Sequence, residues 1–232
     1  MDAAEFDKFA DEYLAVHARN IRVSGEAPEY FARYKIEAIA RRWTAWGKAP
    51  PRAVLDFGSG IGASLPHLAR TFPDAALTAL DVSARSLAVA AARFPGLARQ
   101  VLHDGAAALP LPDEGFDLAF ASCVFHHIDP SAHEGLFAEL RRVLRPGGVL
   151  AVFEHNPVNP VTRYIVASCP FDENAVLIPP WRMRRGLTQA GFRGVEVRFT
   201  GFFPSALAAL RPFEGLLGWV PVGAQYYGAG HV

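Results

Sequence analysis

Excess charge of either sign is absent from this 232-residue sequence, in which 23 lysines and arginines balance 23 acidic residues. Nucleic-acid binding normally shows as a concentrated basic surface, and neutrality removes that footprint. Arg182, Arg184 and Arg185 do cluster, but at a helix start where arginines are ordinarily solvated. Cysteine is nearly absent as well. Cys123 and Cys169 lie in apolar surroundings without CxxC spacing, which fits a reduced, cytoplasmic protein better than a secreted one. Long apolar runs are also missing. No stretch reaches the roughly 18 uninterrupted apolar residues of a membrane span. Residues 202–222 come nearest and are broken by Arg211, Glu214 and several Pro and Gly. The opening MDAAEFDKFADEY is acidic and has no apolar centre, so no signal peptide is expected there.

What remains is an ordinary globular balance, 51% hydrophobic, which excludes a disordered chain. The length predicts one α/β domain over residues 1–232 rather than two. Residues 28–46 place Ile36, Ile39, Trp43 and Trp46 at helical spacing, so residues 1–48 are expected to form a helical cap. After Pro50-Pro51, short apolar runs alternate with helical patterns. Strands are predicted at 53–57, 76–80, 98–103, 116–121 and 148–154, then at 194–199 and 222–227. Most are apolar on nearly every residue, the mark of parallel strands covered on both faces by helices. A helix over 131–144 is expected to stop before Pro146-Gly147-Gly148. Residues 155–180, rich in Pro and Asn, read as an irregular insertion, followed by helices at 181–190 and 205–217.

Asp56-Phe57-Gly58-Ser59-Gly60-Ile61-Gly62 follows the first strand and leads into a helix. Glycines there let the backbone approach a ligand closely, and a helix start offers unpaired N–H groups. Gly58, Gly60 and Ala63 also satisfy the dinucleotide pattern GxGxxG/A, so a nicotinamide-dependent oxidoreductase is a competing reading. Asp56 argues against it. A carboxylate at the strand end repels a pyrophosphate but attracts the ammonium and sulfonium of S-adenosylmethionine. Asp81, ending the second strand, stands where an acid binds ribose hydroxyls with either cofactor. Asp104 ends the third strand and can accept a hydrogen bond from an adenine amino group. Each acid also has a purely structural reading, as a turn or helix cap.

VLDFGSGIG, LTALDVS, HDGAAALPLPDEGFDLAFASCVFHHI and LRRVLRPGGVLAVFEHNP resemble the successive signature segments of class I S-adenosylmethionine-dependent methyltransferases, over residues 53–157. The resemblance is to the broad bacterial small-molecule, ubiquinone-type subgroup. It implies a single Rossmann-like fold, with a seven-stranded, mostly parallel sheet whose last strand is antiparallel and with helices on both faces. It also implies a cofactor site: Asp56, Gly58, Ser59, Gly60 and Gly62 along the methionine part, Asp81 and Val82 at the ribose, Asp104, Gly105 and Ala106 at the adenine. Ser122 would line the methionine side, and Tyr13, in an FDxxAxxY-like run, would lie over the cofactor.

Methyl transfer from a sulfonium needs mainly alignment and exclusion of water, but a hydroxyl or protonated amine acceptor profits from a base. His127 and His155, with Glu154 to orient an imidazole or bind substrate, are the candidates at strand ends facing the crevice. The alternative is that these histidines pack beneath the cofactor. No metal site is expected, because His126, His127, His155 and Glu154 lack helical i,i+4 or CxxC spacing. The acceptor should lie over strands four and five, roofed by the N-terminal helices and by residues 155–180 and 202–222. Tyr30, Tyr34, Tyr164, Phe171, Trp181, Phe202, Phe203 and Trp219 there suit an apolar, aromatic or amphiphilic small molecule, bound by a monomer or homodimer. S-adenosylhomocysteine would be the product. A non-catalytic protein that keeps the cofactor turn, as scaffold or accessory subunit, is the other alternative.

Overall fold

The computed structural model describes residues 25–232. Tyr13 and the first part of the expected helical cap lie outside the described residues. The helix α1 (Pro28–Ala45) opens the described chain and buries Ile36, Ile39 and Trp43 along the predicted stripe. The elements that follow are β1 (Ala53–Phe57), α2 (Leu65–Thr71), β2 (Ala76–Asp81), α3 (Ala84–Arg93), β3 (Arg99–Leu102) and β4 (Phe116–Ser122). Then come α4 (His133–Val143), β5 (Leu144–His155), α5 (Pro160–Ala167), α6 (Pro180–Gln189), β6 (Arg193–Thr200), α7 (Glu214–Leu217) and β7 (Gln225–His231).

The seven strands form one sheet in the order β3-β2-β1-β4-β5-β7-β6. The pairings from β3 through β5 are parallel, and β7 runs antiparallel to both β5 and β6. The parallel part is what the alternation of apolar runs and helices predicts, and the antiparallel last strand is what the family resemblance implies. Side-chain alternation along each strand divides the core into two layers. Leu118, Phe120, Val149 and Ala151 pack with Ile36, Ile39, Leu65 and Leu87, under α1, α2 and α3. Ala119, Ala121, Leu150 and Val152 face the other way, against Phe137, Leu140, Met183 and Leu187 of α4 and α6. A bidentate Arg42–Glu196 pair, at 2.8 and 2.6 Å, ties α1 to β6.

Three expectations need correction. The last strand lies at Gln225–His231, not 222–227. Its glycines had hidden it: a Cβ on Gly228 would stand 2.6 Å from Met183 Cγ, and one on Gly230 2.8 Å from Phe192 Cβ. Close packing of α6 and the following turn therefore dictates glycine in a strand. The insertion at 155–180 is less irregular than its prolines suggested. Asn159 caps α5 by accepting from Val161 and Thr162 N–H, with Pro160 at the first helical position. The helix expected over 205–217 is instead a kinked 3-10 segment, Ser205–Phe213, followed by the single turn α7.

Candidate functional site

The carboxyl ends of β1 and β2 carry the glycine turn. Gly58 and Ser59 N–H donate to the Leu80 carbonyl at 2.8 and 3.0 Å, folding the turn over the end of β2. Asp81 then locks it, since Oδ2 accepts from Gly60 N–H at 2.7 Å and Oδ1 from Ser83 N–H at 2.9 Å. Gly58, Gly60 and Gly62 all have positive φ, which other residues adopt only at a cost. Their surroundings differ. A Cβ on Gly58 would stand 2.4 Å from Val124 Cγ2, and one on Gly62 3.0 Å from Ala90 Cβ, whereas one on Gly60 would meet nothing within 4 Å. Packing requires the first and third glycines, and the middle one borders open space.

Asp56, at the end of β1, is 2% exposed, and its Oδ2 has no hydrogen-bond partner. Burial pushes its carboxyl up to about 7, with the Ser59 side chain opposing the rise and the charge of Asp81 adding to it. A buried acceptor left unsatisfied is costly, and a cationic group at this strand end would satisfy it. Beside the turn lies a cavity of about 260 Å³, bordered by Phe57, Gly58, Asp81, Val82, Gly105, Ala106 and Ile128. Asp104 is exposed, and its Oδ1 accepts from Ala106 N–H at 2.9 Å, so its carboxylate shapes the turn that presents Gly105 and Ala106. These residues fit S-adenosylmethionine: an unpaired buried carboxylate for its cationic end, a second carboxylate beside an open turn for its ribose.

Comparison with known proteins agrees. Residues 54–148 match a family described as a methyltransferase domain. The segment from β1 into β5 is thus similar to a methyltransferase domain. It is 33% identical over 151 residues to a trans-aconitate 2-methyltransferase of Paracidovorax citrulli, covering 62% of this chain and 57% of that one. It is 39% identical over 103 residues to a malonyl-[acyl-carrier protein] O-methyltransferase of Methylococcus capsulatus, covering 44% of this chain and 37% of that one. The chain thus spans about half or less of these relatives' lengths. In fold it is similar to a Thermotoga maritima methyltransferase described as a possible histamine N-methyltransferase, with TM-score 0.68, 22% identity and 98% of each chain covered.

Within this methyltransferase fold, the glycine turn yields a direct test. Gly60→Ala is expected to weaken binding of S-adenosylhomocysteine at least about tenfold if the ligand fills the open space that the new methyl would enter. Its cost to the ligand-free fold is only about 1–2 kcal/mol of backbone strain. Gly58→Ala is expected to cost more stability than that, since Val124 must also move. Thermal melts with and without the nucleoside would separate the two effects. Equal losses of stability, with equal ligand shifts, would contradict the assignment.

The second group of residues stands at the ends of β4 and β5. Lys35, buried in α1, donates from Nζ to Ser122 Oγ at 2.7 Å and to Cys123 Sγ at 3.2 Å. Burial opposes ionisation of Cys123, but Lys35 and His155 outweigh it and hold the thiol down to about 6. Cys123 itself has φ of 58°, unusual for a residue with a side chain. Ser122 thus meets Lys35, a residue that the apolar stripe of α1 had concealed.

Glu154 is fully buried. Its Oε1 accepts from Val124 and Phe125 N–H at 3.2 and 2.8 Å, and its Oε2 lies 2.5 Å from His126 Nδ1. It therefore orients an imidazole, that of His126, and is not exposed to bind substrate. Burial works against charge on His126, yet Glu154 and Asp172 raise it to about 10. Burial and the neighbouring His126 charge lower His127 to about 4. The ring of His155 lies 5.1 Å from that of His126. The three sequence candidates therefore fall in one cluster, with His126, Asp172 and Lys35 as additions. Of the expected aromatic roof, Tyr164, Trp181 and Trp219 are largely exposed. Tyr34 serves a structural tie, its OH accepting from Gly201 N–H at 2.7 Å and donating to Glu214 at 3.1 Å. No helix among the described residues is long and apolar enough to cross a membrane.

Proposed function

We propose that this chain transfers the methyl group of S-adenosylmethionine to a small-molecule acceptor held over the carboxyl ends of β4 and β5. The observation that carries the reading is the buried, unpartnered Asp56 Oδ2 in β1, just ahead of a glycine turn whose Gly60 borders open space. Asp56 would hold the cationic methionine end, Asp81 the ribose hydroxyls, and the Gly105–Ala106 turn the adenine. Bound S-adenosylmethionine supplies a methyl group already activated by positive sulfur. The chain's share is then to align the acceptor and keep water away.

On the acceptor side, Lys35, Cys123 and His155 offer polar and charged contacts, and the relative named as an O-methyltransferase makes an oxygen acceptor on a small molecule the first to test. Where that acceptor carries a proton, His155 would take it. His127 is the weaker candidate, because its Nε2 faces Asp172 at 3.5 Å. Lys35 would hold an anionic acceptor oxygen by charge.

Calorimetric titration with S-adenosylmethionine, S-adenosylhomocysteine, NAD and NADP tests the reading first. Saturable binding of the adenosyl compounds alone is expected. Asp81→Ala should weaken it about 100-fold, through loss of charge-assisted hydrogen bonds and of the Gly60 anchor. An acceptor screen starting from small carboxylic acids such as trans-aconitate should then yield a methylated product. Binding of a dinucleotide alone would overturn the proposal, and cofactor binding without transfer to any acceptor would favour the scaffold alternative.

A further inference from the structure

His126 and His127 follow β4 in one 3-10 turn, Phe125–His127, and Asp172 ends another, Pro170–Asp172. Their donor atoms converge. His126 Nε2 lies 3.3 Å and His127 Nε2 3.5 Å from the same oxygen, Asp172 Oδ1. All three ligand-type atoms fall within 4.8 Å of one another. The geometry points to a binding site for a divalent transition metal of zinc type, held by His126 Nε2, His127 Nε2 and Asp172 Oδ1.

The spacing suits a metal. Bonds of about 2.0–2.1 Å at tetrahedral angles set neighbouring donors about 3.3–3.4 Å apart. A proton held between an imidazolium and a carboxylate draws the pair to about 2.7–2.9 Å. The His126–Asp172 separation matches the first, and His127 faces the same oxygen at 3.5 Å. On the far side of the ring, His126 shows the short contact that a proton does produce, 2.5 Å to Glu154.

Glu154 completes the pattern. Ionised and fixed by two backbone N–H groups, it keeps hydrogen on Nδ1, so that a metal displacing the Nε2 proton finds that nitrogen aimed at the site. A carboxylate behind a metal-binding histidine is the usual outer support of such ligands. Two imidazoles and one carboxylate favour a borderline metal over magnesium or calcium, and three protein donors leave a fourth position for an exogenous oxygen. A groove of about 850 Å³, walled by Tyr164, Cys169, Asp172 and Glu173, gives an entry path. Val176 N–H, donating to the His126 carbonyl at 2.8 Å, holds the Asp172 segment on the histidine turn before any ion arrives.

The test uses the full chain, freed of metal by a chelator and titrated with Co²⁺, followed by absorption and calorimetry, with Zn²⁺ as competitor. One equivalent is expected to bind with the intense visible band of tetrahedral Co²⁺, and Zn²⁺ should displace it. His127→Ala and Asp172→Ala, both partly exposed positions, should retain the fold by circular dichroism, and either should abolish the band. Glu154→Gln should weaken uptake about 10–100-fold. No uptake by the parent chain, or uptake that survives in both alanine variants, overturns the site. Neither result depends on cofactor binding, so the methyltransferase reading stands or falls separately.

Discussion

Asp56→Asn is expected to make the ligand-free protein more stable and its cofactor binding much weaker. Asp56 is buried, its Oδ2 has no hydrogen-bond partner, and its carboxyl is pushed up to about 7 from 3.8 by burial, with Asp81 adding to it. A carboxyl raised in the folded state binds its proton more tightly there than in the unfolded chain. Its contribution to stability is therefore fully present below about pH 4 and is lost as pH rises through 7. The whole rise corresponds to about 4 kcal/mol. An asparagine has no charge to desolvate but is itself a buried amide, so a net gain of about 1–3 kcal/mol is expected at pH 8. That corresponds to roughly 5 °C in the melting temperature of a chain of this size. At pH 4 the difference should vanish or reverse.

Binding should show the opposite. A cationic ligand selects the ionised form of Asp56, so affinity of the parent protein for S-adenosylmethionine should fall as pH drops below 7, by up to about tenfold per unit. The asparagine variant should bind about 10–100-fold more weakly at pH 8 and lose that pH dependence. Calorimetry between about pH 5.5 and 8 would check both. Affinity that is flat with pH in the parent would remove Asp56 from the cofactor site. A stabilised but weak-binding variant would mark a residue kept for function against the interest of the fold.

The contrast between Asp56 and Asp172 shows what was legible in the sequence. Asp56, Gly58 and Asp81 lie close to the ends of adjacent parallel strands, where apolar runs announce β1 and β2 and the following residues must reach the carboxyl edge. Topology alone brings them together. Asp172 reaches His126 across 46 residues of chain and an insertion whose helix was hidden by its prolines, so no spacing pattern connects the two. Lys35 was concealed differently, as a cation set within an otherwise apolar helix face, next to Ile36 and Ile39. The misplacement of β7 has a third cause. Gly228 and Gly230 lie beyond the apolar run that ends at Tyr227, and they are required by α6 and Phe192 lying against the strand. Local periodicity thus reveals elements and their ends. It says little about polar contacts between distant segments, or about glycines required by packing rather than by backbone conformation.

Glu154→Ala is expected to have the largest effect on the fold. The carboxylate is fully buried and serves three donors at once: Val124 N–H, Phe125 N–H and His126 Nδ1–H. Its removal leaves two backbone donors without partners and takes the nearer counter-charge from a buried imidazolium, which keeps only the longer contact to Asp172. Breaking a buried ion pair in this way costs about 3–5 kcal/mol, or roughly 10 °C for a chain of this length. Glu154→Gln should lose less, since the amide oxygen can still accept from both backbone groups, but its NH₂ would then oppose the Nδ1 hydrogen. The His126 ring would have to give up its Nδ1 hydrogen and keep only the one on Nε2. Urea unfolding of the two variants, with the imidazole followed by nitrogen-15 NMR, would read stability and tautomer together. If alanine cost under about 1 kcal/mol and the tautomer did not change in the glutamine variant, Glu154 would be a satisfied acid and not the anchor of the β4 turn.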